Sequence, residues 1–252
     1  MQLLKLEQKL NDLYDPGSFS DYCPLGLVVE GKSQIRKGAT AVSFTGETVQ
    51  KVIREKADFL VVHHIHGFWN NQPKIFTGGL MKKLSALIKH DMSLFAYHLP
   101  MDAQPKIGNN TEILRTLGAE YKECFNREGE HEIGIIGKLP KPLSLQAFHR
   151  LVKQKIGPAN FSFSYGVSKI QTVAVCSGGG AGLVHKAKNA GADIYITGEA
   201  KEDTLGFCQD EKFNFIASGH YNTEVFGPKA LAVHLTKNKI IPTVFVDVPN
   251  PV

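Results

Sequence analysis

Short apolar runs rich in Val, Ile, Phe and Tyr recur along the whole chain, with segments of helical periodicity separating them. The runs fall at 40–45, 58–63, 93–98, 132–137, 161–165, 171–176, 193–198, 213–218 and 243–248. Helices are expected over 47–56, 78–90, 109–117, 144–155, 181–190 and 222–236, after a first amphipathic helix in "MQLLKLEQKLNDLYD". Such alternation predicts an α/β fold: two similar α/β lobes with mixed sheets flanked by helices, and a metal site in the cleft between them. The polar, glycine-bearing stretch "YKECFNREGEHEIG" marks a soft boundary. It gives a first lobe of residues 1–122 plus 237–252 and a second of 123–236.

Several function classes drop out early. No run approaches the roughly 18 apolar residues of a membrane-spanning helix, and the first helix lacks the apolar centre of a secretory signal. Cys23, Cys124, Cys176 and Cys208 are dispersed without a CxxC pair, as in a reduced, cytoplasmic protein. The net charge of +5 is mild. The basic cluster in "MKKLSALIKH" reads as the solvated face of a helix, which weighs against nucleic acid and leaves an anionic small substrate open.

Polar residues collect where the expected strands end, the region in which open α/β sheets bind ligands. The run "DFLVVHHIHGFW" closes on His63 and His64. Adjacent strand residues point to opposite faces. Both rings can therefore meet one ion only if the strand stops and the backbone turns, which Gly67 permits. The next strand closes on His98, with Asp102 following on a loop after Pro100. In "ASGHYNTEVFG", His220 and Glu224 stand one helical turn apart and can face a common ion. The set His63, His64, Asp102, His220 and Glu224 exceeds the three protein ligands of an ordinary catalytic zinc. It suits two ions sharing a carboxylate.

The segments "VVHHIHGFW", "AYHLPMDAQPKIGNN", "VAVCSGGGAGLVHKAKNAGADIYITGEAKED" and "GHYNTE" resemble, in order and over nearly the whole chain, those of the type 2 GTP cyclohydrolase I family, the Nif-three-like proteins. In that family's pattern the dimetal ligands fall on His63, His64, Asp102, His220 and Glu224, the set reached above. The resemblance implies the short form without the inserted domain and a toroidal homohexamer with metal sites facing an inner cavity. It also implies two divalent metal ions per chain (zinc, iron, manganese or nickel) and a small-molecule, nucleotide-type substrate. Two departures concern the surroundings: Tyr221 stands where many members carry a second histidine, and His66 where small or apolar residues are usual.

Other residues have two readings. His98 is the candidate catalytic residue, as a proton shuttle beside the metals, or else a strand-end histidine that orients Asp102. His66 reads as a solvated loop residue. The turn "CSGGGAG" could cradle an anion on its amides or allow close helix–strand packing, and Cys176 within it reads as a structural thiol. Asn110 or Thr111 is expected to cap the helix that follows. Asp193 and Glu199 flank a strand and could line the same cavity as the metals, but they read as capping or solvated groups and are left out of the site. The expected activity is metal-dependent hydrolysis of a nucleotide or related small molecule. A non-enzymatic, metal-binding hexameric assembly or regulatory protein is the alternative.

Overall fold

The computed structural model describes residues 1–71 and 75–252. Two compact units emerge: Met1–Ile107 with Gly227–Pro249, and Gly108–Phe226 with Asn250–Val252. The breaks expected near 122 and 237 fall elsewhere in this division. The helix at 109–117 buries Ile113, Leu114 and Leu117 in the core of the second unit, and the late helix buries Leu231 and Leu235 in the first.

The first unit opens with α1 (Leu3–Tyr14), β1 (Gly26–Val29), β2 (Gly38–Ser43), α2 (Gly46–Arg54), β3 (Phe59–His64), α3 (Gly78–Lys89), β4 (Ser93–Ala96) and α4 (Leu99–Ala103). β3 is buried along its whole length, which explains why it reads as a continuous apolar run rather than an alternating one. Leu60 and Val62 join a cluster with Val49 and Val52 of α2 and Leu84 and Leu87 of α3. Phe59 and Val61 face the other way, into a cluster with Leu3, Leu6 and Leu10 of α1. Lys83, expected on a solvated helix face, instead donates to the carbonyls of Phe44 and His66 at 2.8 and 2.9 Å.

The second unit runs α5 (Asn109–Leu117), β5 (Glu120–Glu128), β6 (His131–Ser144), α6 (Leu145–Lys155), β7 (Phe161–Ser164), β8 (Lys169–Val175), α7 (Val184–Asn189), β9 (Ile194–Thr197), α8 (Glu202–Asp210), β10 (Asn214–Ala217) and α9 (His220–Glu224). Its six-stranded sheet has the order β5-β6-β8-β9-β10-β7. β8, β9 and β10 are parallel, and β7 is an antiparallel edge. α5 and α6 cover one face through Ile113, Leu114, Phe148 and Val152. The chain then adds α10 (Phe226–Lys237) and β11 (Thr243–Phe245). β11 pairs with β2 and completes the first sheet, of order β1-β4-β3-β2-β11.

Every expected strand forms, with shifted ends. β1, β5, α4 and α8 had no clear signal. β5 is a largely exposed sheet edge written in polar residues, and α8 buries only Thr204 and Cys208. The single helix expected over 222–236 breaks into α9 and α10 at Val225. Among the described residues no helix is long and apolar enough to cross a membrane.

Each unit uses an aspartate to tie two parallel strands together. Asp58, just before β3, accepts from the amides of Arg36 and Lys37 at 2.5 and 3.2 Å and pairs with Lys32 at 2.5 Å. Asp193, just before β9, accepts from the amides of Gln171 and Thr172 at 2.8 and 2.7 Å. Burial acts to raise the pKa of Asp58, but Lys32 and the two amides outweigh it and hold the carboxyl below its ordinary range. A depressed folded pKa contributes stability above the unfolded value of about 3.9, and that stability is lost as pH falls through the folded value. Asp58→Ala is therefore expected to lose roughly 1–3 kcal/mol in urea unfolding at neutral pH. The gap to the parent protein should close as the pH is taken below about 4. A gap that persists unchanged in acid would count against this role for the carboxylate.

Candidate metal centre

The end of β3 resolves the problem posed by two adjacent histidines. The strand stops at His64, the Phe68 amide turns back to the Ile65 carbonyl, and Gly67 adopts φ +102°. The rings of His63 and His64 then lie 4.5 Å apart, centroid to centroid, instead of on opposite faces. His63 is fully buried, its Nδ1 3.3 Å from the Tyr97 carbonyl. That contact selects the tautomer with Nδ1–H and directs Nε2 at an ion or carboxylate. Nε2 lies 3.7 Å from Oδ2 of Asp102. Asp102 does not sit on a loop as expected: Leu99 and Pro100 form the first turn of the short helix α4, which carries the carboxylate one turn beyond His98. Nδ1 of His64 lies 3.5 Å from Ser43 Oγ at the end of β2.

His98 joins the same cluster, with ligand atoms of His63, His64 and His98 within 4.8 Å of one another. Its ring does not turn to Asp102. Nδ1 lies 3.0 Å from Oδ1 of Asp21, and Nε2 lies 3.3 Å from the Tyr22 hydroxyl. Asp21 also accepts from the amides of Leu99 and Tyr22 at 2.9 and 2.8 Å. Its burial acts to raise the carboxyl pKa. The hydrogen bond and charge of His98 and the two amides outweigh that and hold it below its ordinary value. Trp69 stands beside this group, 5.5 Å from His98 and 5.3 Å from Tyr22, and its Nε1 donates to His66 Nδ1 at 3.3 Å. His66 is thus held at both its ring and its carbonyl rather than being a free loop side chain. Asp21, Tyr22 and Trp69 escaped the sequence reading. "SDYC" sits far along the chain from "YHLPMD", and no local periodicity links the two.

In the second unit, Gly219 takes φ +93° at the end of β10 and α9 begins at His220. Nε2 of His220 lies 3.2 Å from Oε1 of the buried Glu224, and Nδ1 lies 2.5 Å from Oε1 of Glu199. Glu199, read from sequence as a solvated strand-end group, therefore anchors the imidazole. Burial acts to lower the pKa of His220, but the carboxylates of Glu224 and Glu199 push it up to about 9. Tyr221 is buried, its amide bonded to the Val252 carbonyl at 3.0 Å.

The glycine-rich turn serves close packing at this point. A Cβ on Gly178, which has φ +60°, would run into Oε1 of Glu224 and Nε2 of His220. Its amide donates to Thr223 Oγ1 at 3.0 Å. One on Gly180 would strike the Tyr195 hydroxyl and Thr197 Oγ1. Asn110 does not cap α5, whose N-cap is Gly108. Its side chain instead bonds the Ser177 amide and the Ile133 carbonyl, both at 2.7 Å, and so pins the turn.

Both sets suit a divalent ion. Imidazole nitrogens and carboxylate oxygens are its usual donors. His63 and His220 each have the second ring nitrogen against an acceptor, as metal-ligating histidines do. The cradle at Gly178 has no room for any side chain beside those of His220 and Glu224.

The family model described as Duf34/NIF3 (NGG1p interacting factor 3) matches residues 1–251. A Yersinia pestis protein named GTP cyclohydrolase 1 type 2 homolog is 34% identical over 253 residues, covering 100% of both chains. A Pseudomonas aeruginosa protein of the same name is 34% identical over 249 residues, covering 99% of this chain and 98% of its own. A solved structure described as protein ybgI, of unknown function, superposes with a TM-score of 0.94 at 31% identity over 100% of both chains. A crystal structure of a Thermus thermophilus protein does so at 0.88 and 32% identity, again over 100% of both.

Two neighbouring glycines give a paired test of the packing. Gly178→Ala is expected to lower stability by about 1–3 kcal/mol through its left-handed backbone and the collision with Glu224. A Cβ on Gly179 would meet nothing nearer than 4.0 Å, so Gly179→Ala should stay within about 0.5 kcal/mol of the parent. Thermal unfolding of both variants checks this, and equal stability of the two would refute it.

Proposed function

The chain belongs to the Duf34/NIF3 family, and from that premise we propose that it is a metal-dependent hydrolase using two divalent ions. The ions would be taken by His63, His64, Asp102, His220 and Glu224. The observation that carries this reading is the buried cluster of His63, His64 and His98 with Asp102 alongside, at the end of a strand whose local sequence favours an apolar core. His220 and Glu224, with Glu199 on the second imidazole nitrogen, supply matching donors in the other unit. Such ions, when bound, supply Lewis acidity and lower the pKa of a coordinated water.

The remaining roles belong to the chain's own residues. Tyr97 and Glu199 orient His63 and His220 through their second ring nitrogens. Asp21 fixes the His98 ring, so that Nε2 and the Tyr22 hydroxyl form one hydrogen-bonded pair at which a proton can be held or passed on. Trp69 packs against both rings of this pair, while Tyr22 is itself half exposed.

The names of the relatives point to a nucleotide-like small molecule as substrate. Imidazole and carboxylate donors suit zinc, iron, manganese or nickel as the metal. A toroidal homohexamer is proposed from the family resemblance, and a reducing cytoplasmic location from the four dispersed cysteines, Cys23, Cys124, Cys176 and Cys208, which are thiols and not disulfides.

Elemental analysis of the purified, reconstituted protein should give about two divalent ions per chain. His63→Ala and His220→Ala should each lower that content sharply, and His66→Ala should leave it nearly intact. The loaded protein should turn over a member of a panel of nucleotides and phosphoesters, with Asp102→Ala and Glu224→Gln abolishing the activity. Full activity in either variant would remove these residues from the catalytic centre. Metal content without turnover of any panel member would favour the assembly or regulatory role. Light scattering should return a hexamer, and a monomer at micromolar concentration would refute the assembly.

A further inference from the structure

The first unit holds a cavity of about 610 Å³ that the metal chemistry leaves unused. It lies beside α2, α3 and the turn that follows β3. Carbon from Phe44, Val49, Leu80 and Ala86 forms much of its wall, Lys82 and Lys83 are its charged side chains, and among the described residues no carboxylate lines it. The volume falls in the range of roughly 300–1,000 Å³ usual for small-molecule pockets.

Lys83 is what makes the cavity more than a crevice. Its ammonium is half-buried, donates to the carbonyls of Phe44 and His66, and rests 4.2 Å from the centroid of the Phe44 ring. Every one of those contacts is to a neutral group, and among the described residues no carboxylate pairs with Lys82 or Lys83. An ammonium carries three donors, so one remains after the two carbonyls. A partly desolvated cation without a counter-charge is unfavourable, and an anion entering the cavity would relieve it. Burial accordingly pulls the ammonium pKa of Lys83 below its ordinary value.

We propose that this cavity binds an amphipathic anion: a compact apolar body against Phe44, Val49 and Leu80, with one carboxylate or phosphate group directed to Lys82 and Lys83. The site adjoins the imidazole cluster through His66 and Gly67, which line its edge, but its anion-binding groups are lysines and the proposal does not depend on the metal reading. Lys83 also holds the His66 carbonyl, which ties one wall of the cavity to the turn after His64.

Isothermal titration of the protein with octanoate, phenyl phosphate and octan-1-ol tests the proposal, before and after treatment with EDTA. One of the two anions should bind saturably at about one per chain, and octan-1-ol roughly tenfold or more weaker. The stronger anion distinguishes a carboxylate from a phosphate site. Ala86→Trp, which fills the cavity, should abolish the binding. Lys82→Met, on an exposed helix position that leaves the core intact, should weaken it by about tenfold. EDTA should leave it unchanged, which separates this site from any failure of the metal centre. Absence of saturable binding by both anions, equal affinity for octanol and octanoate, or unaltered binding in the well-folded Lys82→Met protein would overturn the proposal.

Discussion

Two imidazoles on consecutive residues can share one site only where their strand stops, and the chemistry proposed for this protein depends on that stop at His64. β3 is buried on both faces up to its last residue, so each residue before His63 is committed to one core or the other. The turn at Ile65–Phe68 releases the chain from that commitment, and the rings of His63 and His64 come together. Lys83 then ties the carbonyl of His66 to that of Phe44, which holds the turn against the end of β2. A helix lysine, a glycine with positive φ and a strand terminus thus cooperate to orient two side chains.

The second unit reaches a comparable result by similar means. In each, a parallel strand gives way to a five-residue helix, with a histidine at its start and a carboxylate one turn on: His98 with Asp102, and His220 with Glu224. In each, a further carboxylate from elsewhere in the chain grips that histidine, Asp21 in one and Glu199 in the other. The strand-linking aspartates Asp58 and Asp193 repeat as well. Buried polar groups need partners, and a strand end offers few. The same solution therefore recurs wherever an imidazole must be held rigid at the edge of an apolar core.

Glycines set how closely these parts approach. The turn at Gly178–Gly180 resembles an anion cradle in sequence, yet its bare backbone is used to admit the side chains of Glu224 and His220 and the hydroxyl of Tyr195. Sequence cannot separate these two uses, because both require the same missing Cβ. Asn110 illustrates the same limit: a good cap by type, it is spent on the Ser177 amide and the Ile133 carbonyl instead.

The sequence by itself determined the α/β class, the buried strands and five metal-type residues at or just beyond strand ends. Burial on both faces forces continuous apolar runs, and imidazoles break such runs conspicuously. It also marked the His220–Glu224 pair, since a helical turn is a local geometry that spacing encodes. It left open the partner of His98, the role of Glu199, the burial of Lys83 and the companionship of Tyr22 and Trp69. Those contacts join residues far apart in the chain, and their energy comes from desolvation and hydrogen bonding that exist only once the sheets have formed. The polar edge strand β5 and the weakly amphipathic α8 belong with them: pairing with β6, not residue preference, makes the first a strand, and α8 buries too few side chains to write a periodic stripe.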